Sequence, residues 1–320
     1  MERIAILTSG GDAPGMNAAI RAIVRAGLGS GVRVFGVRHG FIGLIENEIR
    51  EMNSIEVGGI IGRGGTVLRT GRTERFRTEE GMSRSFENLK NCGVDGLVVI
   101  GGDGSMRGAY EFHQKYGMPV VCIPASIDND ISCTDVSIGF DTAVNTAVDA
   151  IDKIRDTAYS HDRVFVIEVM GRFNGFIAVE AGLSGGAEGI IIPEIPFDLD
   201  EICDRLRSAY ERGKHSSIIV VAEGAAKAFE VGTYIKQHTG FEVRPVVLGH
   251  IQRGGSPTAF DRVIATHMGA EAVQLLLHGE HCTMVGWTAN EICWIPLKQV
   301  LETPRKIDTE RLLLAEVMAQ

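Results

Sequence analysis

The sequence predicts an α/β protein made of two three-layer αβα domains with mostly parallel sheets. Three observations lead there. Short apolar runs recur along the 320 residues and alternate with amphipathic stretches of helical period, which is the pattern of βαβ layers. Most of these runs stop abruptly in small or charged residues, as strands do where they reach the carboxyl edge of a sheet, the place where open α/β folds bind ligands. The 40 glycines are dispersed at the ends of apolar runs, which marks many tight strand-to-helix turns.

The elements follow in order. Residues 4–7 form a short buried strand, and Thr8-Ser9-Gly10-Gly11-Asp12-Ala13-Pro14-Gly15 breaks it before an amphipathic helix over 16–26. A strand, a glycine loop and a helix make an anion cradle, and three glycines exceed what one tight turn requires. Further strands are expected over 34–37, 97–100, 120–123, 164–169, 218–222 and 246–248, with helices over 142–154 and 259–277. After Gly139 the turns present arginines and Glu223 in place of aspartates, which sets a domain junction there. No fixed-period repeat occurs, and the charged tail beyond about Leu301 reads as a packing or surface helix.

Composition narrows the function classes. A hydrophobic content of 44% over this length supports two packed cores. The formal net charge of -9 argues against nucleic acid or an acidic membrane as a partner, because both reward a basic surface. No secretory leader pattern opens the chain and no apolar run reaches about 18 residues, so a cytoplasmic location is expected. The six cysteines include no Cys-x-x-Cys pair, and they are expected to be reduced core thiols.

Two segments bear the chemistry: Val98-Val99-Ile100-Gly101-Gly102-Asp103-Gly104-Ser105 and Pro124-Ala125-Ser126-Ile127-Asp128-Asn129-Asp130. Each brings carboxylates to a strand end. Glycine lets backbone N–H groups approach an anion, and an aspartate beside them can hold the Mg²⁺ that accompanies a nucleotide's phosphates. No Gly-x-x-x-x-Gly-Lys-Ser/Thr is present, and no strand leads into a clean Gly-x-Gly-x-x-Gly helix start. Phosphoryl transfer asks for a metal, cationic groups and a base on the attacking hydroxyl. Asp103 and Asp130 are the candidates for Mg²⁺, Asp128 for the hydroxyl proton, and Arg72 and Arg172 for the charge that develops on the phosphoryl oxygens. Turn capping around Asn129 would explain fewer polar groups than stand in that row. Arg253, glycine-flanked and close to His250, suits a sugar phosphate, because guanidinium forks two phosphate oxygens and the imidazole can donate another hydrogen bond. Glu223 offers acceptors for sugar hydroxyls.

Taken together, five runs resemble the bacterial 6-phosphofructokinase family: Thr8 through Asn17, Gly101 through Ser105, Ser126 through Asp130, Met170-Gly171-Arg172, and Leu248 through Pro257. They stand in that family's order and extend from the start of the chain to roughly Leu277. The resemblance implies ATP-dependent, Mg²⁺-assisted transfer to the 1-hydroxyl of fructose 6-phosphate in glycolysis, with Asp128 as proton acceptor and Asp103 on the metal. It implies that Gly11, Arg72, Thr73, Gly102, Asp103, Gly104 and Ser105 hold ATP. It assigns Ser126, Asp128, Arg163, Met170, Gly171, Arg172, Glu223, Arg244, His250 and Arg253 to the sugar phosphate. In the family, the arginines matching Arg163 and Arg244 reach in from a neighbouring subunit, so a homotetramer is implied. Arg21 and Arg25 lie four residues apart, hence on one helix face. With Arg155, Gly186, Glu188, Arg212 and Lys214 they match the positions that gather around an ADP or phosphoenolpyruvate effector.

The family also implies discontinuous domains, residues 1–138 with 251–300 for ATP and 139–250 with 301–320 for the sugar phosphate, and an active site in the cleft between them. Departures from the usual pattern are Ser126 for threonine, Ala125 for glycine, Thr73 for an aromatic residue, Phe176 for aspartate, and Ser54 where some relatives add an arginine. Two rival readings are a pyrophosphate-dependent phosphofructokinase and a catalytically silent sensor. Pyrophosphate users tend to carry aspartate at the position of Gly104 and lysine at that of Ala125, so ATP is favoured here. The intact Asp103, Asp128 and Asp130 disfavour the sensor.

Overall fold

A computed structural model of the chain describes residues 1–318. In chain order it runs β1 (Arg3–Ser9), α1 (Met16–Gly29), β2 (Arg33–Val37), α2 (Phe41–Ile45), β3 (Ile49–Met52), α3 (Glu79–Asn91), β4 (Gly96–Gly101) and α4 (Asp103–Tyr116). Next come β5 (Val120–Pro124), α5 (Phe140–Ser160), β6 (Val164–Val169), α6 (Phe176–Ser184), β7 (Gly189–Ile191), α7 (Leu199–Glu211), β8 (Ser217–Ala222) and α8 (Ala228–Thr239). The last part holds β9 (Val243–Val247), α9 (Ala259–Leu277), β10 (Thr283–Thr288), β11 (Glu291–Pro296), α10 (Leu297–Glu302) and α11 (Thr309–Met318). Two compact units result: Met1–Thr142 with Arg253–Arg305, and Ala143–Gln252 with Lys306–Gln320.

The larger unit contains a seven-stranded sheet in the order β11-β10-β5-β4-β1-β2-β3. Its central pairs are parallel, and only β3 and β11 run antiparallel at the two edges. Strand alternation sorts the side chains onto two faces. Ala5, Leu7, Val99 and Cys122 pack with Met82, Leu89, Met106 and Phe112 of α3 and α4 in one core. On the opposite face α1 lies against Ile4 and Val34, so closely that a Cβ on Gly27 would come within 2.6 Å of Val34. Because both faces are covered, β4 reads as an unbroken buried apolar run.

The smaller unit has an all-parallel sheet in the order β7-β8-β6-β9. Val164, Val166, Ile219 and Val221 pack with Ile202, Leu206, Val231 and Ile235 of α7 and α8. The expected α/β class with mostly parallel sheets is therefore what the chain adopts. One expected strand needs correction: residues 246–248 are not the element, which is Val243–Val247. Pro245 sits inside it, and that is tolerated because β9 is the edge of its sheet. Among the described residues no helix is long and apolar enough to cross a membrane, and all six cysteines are free thiols.

Candidate active site

In the larger unit three loops leave the same edge of adjacent strands. Ser9 at the end of β1 lies opposite Gly101 at the end of β4, and Gly101 lies opposite Pro124 at the end of β5. The loops that follow begin at Gly10, Gly102 and Ala125, so the glycine run and both acidic segments share one carboxyl edge. Gly15 must be glycine, since its φ is 110° and a Cβ would lie 2.6 Å from Ile138. Gly11 makes room for a cation: a Cβ there would come 2.6 Å from Nη1 of Arg253, which also donates to the Asp12 carbonyl at 3.3 Å. Arg253 thus belongs to the larger unit and sits against the glycine loop, whereas His250 belongs to the smaller unit.

Asp103, Gly104 and Ser105 form the first turn of α4, whose N-cap is Gly102. Free N–H groups at such an end, with no Cβ on Gly104, suit phosphate oxygens. Asp103 is exposed, and its carboxylate lies 3.7 Å from Arg107. Arg72 and Thr73 follow a segment anchored by the Thr70 hydroxyl, which donates to the Gly10 carbonyl at 2.9 Å. Thr73 spends its own hydroxyl accepting from the Arg75 N–H at 3.1 Å, and Arg72 is exposed.

Asp128 is only 3% exposed. The turn that holds it is built from side chains on main-chain groups. Ser126 receives the Asp128 N–H at 3.3 Å and gives its own proton to Oδ1 of Asp130 at 2.8 Å. Asn129, at φ 50°, donates to the Asp135 carbonyl at 3.0 Å and accepts the Ser137 N–H at 2.9 Å. The Ser137 hydroxyl donates to the Ser126 carbonyl at 2.6 Å. Asn129, weighed from sequence as a turn former, turns out to staple the loop of the proposed base.

In the smaller unit the carboxyl ends of β6, β8 and β9 again converge. The Glu223 N–H bonds the Val169 carbonyl and the Leu248 N–H bonds the Glu168 carbonyl. Arg172, at φ 53°, gives its N–H to Oε1 of Glu223 at 3.0 Å, and the Met170 N–H points to Oε1 of Gln252 at 3.4 Å. Met170, Gly171, Arg172, Glu223 and His250 therefore share one edge. Phe176, two residues beyond Asn174, is buried at the start of α6.

Arg163 and Arg244 lie at the other end of the same sheet. Both meet Glu242: Nε of Arg163 stands 3.0 Å from Oε1, and Arg244 pairs with the same oxygen. The hydrogen bond from Arg163 and the charge of both arginines hold the Glu242 carboxyl below its usual range. Sequence reading missed Glu242. The adjacency of two cationic candidates to a shared acid appears only once β6 and β9 pair in register.

The effector candidates gather in part. Glu188 accepts from Lys214 at 3.0 Å, lies 3.5 Å from Arg155 and takes the Ile218 N–H at 2.5 Å. Arg155 also donates to the carbonyls of Gly185 and Gly186 at 2.5 and 2.6 Å. Glu188 and Arg212 line a cavity of about 530 Å³ beside α7. Arg21 and Arg25 are in the larger unit, on the side of α1 away from its buried residues.

An α/β chain that brings glycine loops and carboxylates to one sheet edge, and arginines with an acid to another, defines a phosphoryl-transfer protein for a small anionic substrate. The match to known proteins makes this specific. Residues 3–276 fit the family described as Phosphofructokinase, and the chain belongs to that family. It is 52% identical to the ATP-dependent 6-phosphofructokinase of Thermotoga neapolitana, over 100% of both chains. It is 53% identical to that of Halalkalibacterium halodurans, also over 100% of both. The solved phosphofructokinase of Saccharomyces cerevisiae superposes with a TM-score of 0.91 at 36% identity, covering 94% of this chain; the chain spans 45% of that yeast polypeptide.

Proposed function

We infer that this phosphofructokinase transfers the γ-phosphoryl group of ATP to the 1-hydroxyl of fructose 6-phosphate, a glycolytic step. The observation that supports it most is the buried Asp128, held by Ser126 and Asn129 one strand away from the Gly102–Ser105 turn. Asp128 accepts the hydroxyl proton as the sugar oxygen attacks the γ-phosphorus, and ADP leaves. Gly11, Gly102, Gly104 and Ser105, with Arg72 and Thr73, are the proposed ATP contacts. Met170, Gly171, Arg172, Glu223 and His250, with Ser126 and Arg253, are the proposed contacts of the sugar phosphate. Arg72 and Arg172 neutralise charge on the moving phosphoryl group.

Mg²⁺ fits the residues present. It binds through one or two carboxylates plus substrate phosphates and keeps its waters. Asp103 offers an exposed carboxylate, and Asp130 keeps acceptor capacity beyond the bond from Ser126. The ion would shield phosphate charge. The relatives' printed names support ATP as donor, as does the open space beside Gly104. A homotetramer, an effector site at Glu188 for ADP or phosphoenolpyruvate, and a cytoplasmic location complete the proposal.

Asp128→Asn tests it. Turnover should fall by about 10²–10⁴, the usual worth of a positioned general base, with ATP binding by calorimetry unchanged. Wild-type turnover in the folded variant removes Asp128 from that role.

A further inference from the structure

Arg305, at the end of the larger unit, takes no part in the chemistry described above. Its guanidinium is turned into the loop that follows Asp128. Nη1 donates to the Ile131 carbonyl at 3.1 Å and to the Thr134 carbonyl, and Nη2 donates to the Asp135 carbonyl at 2.7 Å. Burial pushes its pKa down, and the charges of Asp135, Asp130 and Cys133 oppose that cost. Nearby, the Ser132 hydroxyl donates to the Thr303 carbonyl.

The Asp135 carbonyl has a second donor. It also accepts Nδ2 of Asn129 at 3.0 Å, the residue next to Asp128. One planar cation therefore fixes three carbonyls within a loop of five residues, and one of those carbonyls anchors the neighbour of the base. A lysine ammonium could not reproduce this, because its donors radiate from one atom whereas the guanidinium fork is planar and rigid.

We propose that Arg305 is a positioning residue for the catalytic base, setting Asp128 through the 131–135 carbonyls and Asn129. The proposal rests on the reading of Asp128 as base. Misplacement by about 1 Å can cost about 10²-fold in rate, so the effect belongs in kcat. Neither substrate need bind less tightly.

The test is a double-mutant cycle on the full chain: Arg305→Gly, Asp128→Asn and the two combined, by steady-state kinetics. Arg305→Gly should lower kcat by about 10–10²-fold with both KM values within about threefold of wild type. Added guanidinium should restore part of the loss, and methylammonium should not. In the Asp128→Asn background the same glycine change should cost less than about threefold, since no base remains to misplace. Arg305→Lys serves in the same cycle if the glycine variant does not fold. An Arg305 variant with unchanged kcat overturns the proposal, as does an equal loss with and without Asp128, or a loss that guanidinium leaves untouched. If Asp128→Asn itself runs at wild-type speed, the base reading fails and takes this inference with it; a slow Asp128→Asn with no coupling removes the inference alone.

Discussion

Gly104 sits in the first turn of α4, and a Cβ added there would meet no atom within 4 Å. The space beside that backbone is open. Ala125 is 2% exposed and donates its N–H to the Gly101 carbonyl at 3.0 Å, so its side chain looks into packed protein. A carboxylate at position 104 would fill the open space and oppose a nucleotide's α-phosphate, an interaction of about 4 kcal/mol at 4 Å with an effective dielectric of 20. Gly104→Asp, alone and with Ala125→Lys, should lower kcat/KM for ATP by on the order of 10³ while pyrophosphate use changes little. Parallel assays with both donors decide it. Equal losses would mean that these positions do not govern donor choice.

At the scale of elements, the start of α5 has an unusual cap. Asp261, on α9 and 0% exposed, accepts the Gly139 N–H at 2.8 Å, the Thr142 N–H at 2.9 Å and the Thr142 hydroxyl at 2.5 Å. A helix N-terminus favours a carboxylate, and these bonds lower its pKa. Burial outweighs them, and the carboxyl is pushed up from 3.8 to about 6. The folded protein therefore binds a proton more tightly than the unfolded chain. Its contribution is fully present below about pH 4 and is lost as pH rises through about 6, with an upper bound of roughly 3 kcal/mol. Asp261→Asn removes this dependence. Urea unfolding of both proteins across about pH 4 to 8 should find the substitution most costly at the acid end. A constant difference across that range counts against the assignment.

The same elements separate what residue types reveal from what they conceal. The apolar runs of β4, β5 and β8, and that of β6 interrupted at Glu168, announce buried strands, and α9 has the expected bounds because its Thr258 cap, which accepts the Asp261 N–H, is a local signal. Edge strands lack that signal: β3 (IREM) is half charged, and Pro245 disguises β9. Helix α5 runs six residues beyond the expected end, since Arg155, Asp156 and Thr157 break the apolar period without breaking the backbone. The glycines and carboxylates of the three loops mark the candidate site directly. Asp261 and Arg305 escape, because apart from the Thr142 hydroxyl the partners described for them are main-chain groups more than a hundred residues away, and a carbonyl or N–H leaves no mark in the sequence.

The geometry of the smaller sheet bears on the whole molecule. Arg163 precedes β6 and Arg172 follows it, and a six-residue strand spans about 17 Å at 3.3 Å per residue. Arg244, opposite Phe165 in the ladder, stays with Arg163 at the amino end through Glu242. A sugar phosphate held by Arg172 and Glu223 is thus a strand's length from the same chain's Arg163 and Arg244. These two can serve such a substrate if they are offered to a second copy, as the proposed homotetramer requires. Mixing Arg163→Ser protein with Asp128→Asn protein then rebuilds complete sites, since each supplies what the other lacks. With random reassociation half of the Arg163→Ser subunits face an Asp128→Asn donor, so about a quarter of all sites regain both groups. Activity should rise toward that fraction of wild type after subunit exchange, well above either variant alone. If native mass spectrometry confirms hybrids and turnover stays at the sum of the parents, each site is built within one chain and the shared-site tetramer is wrong.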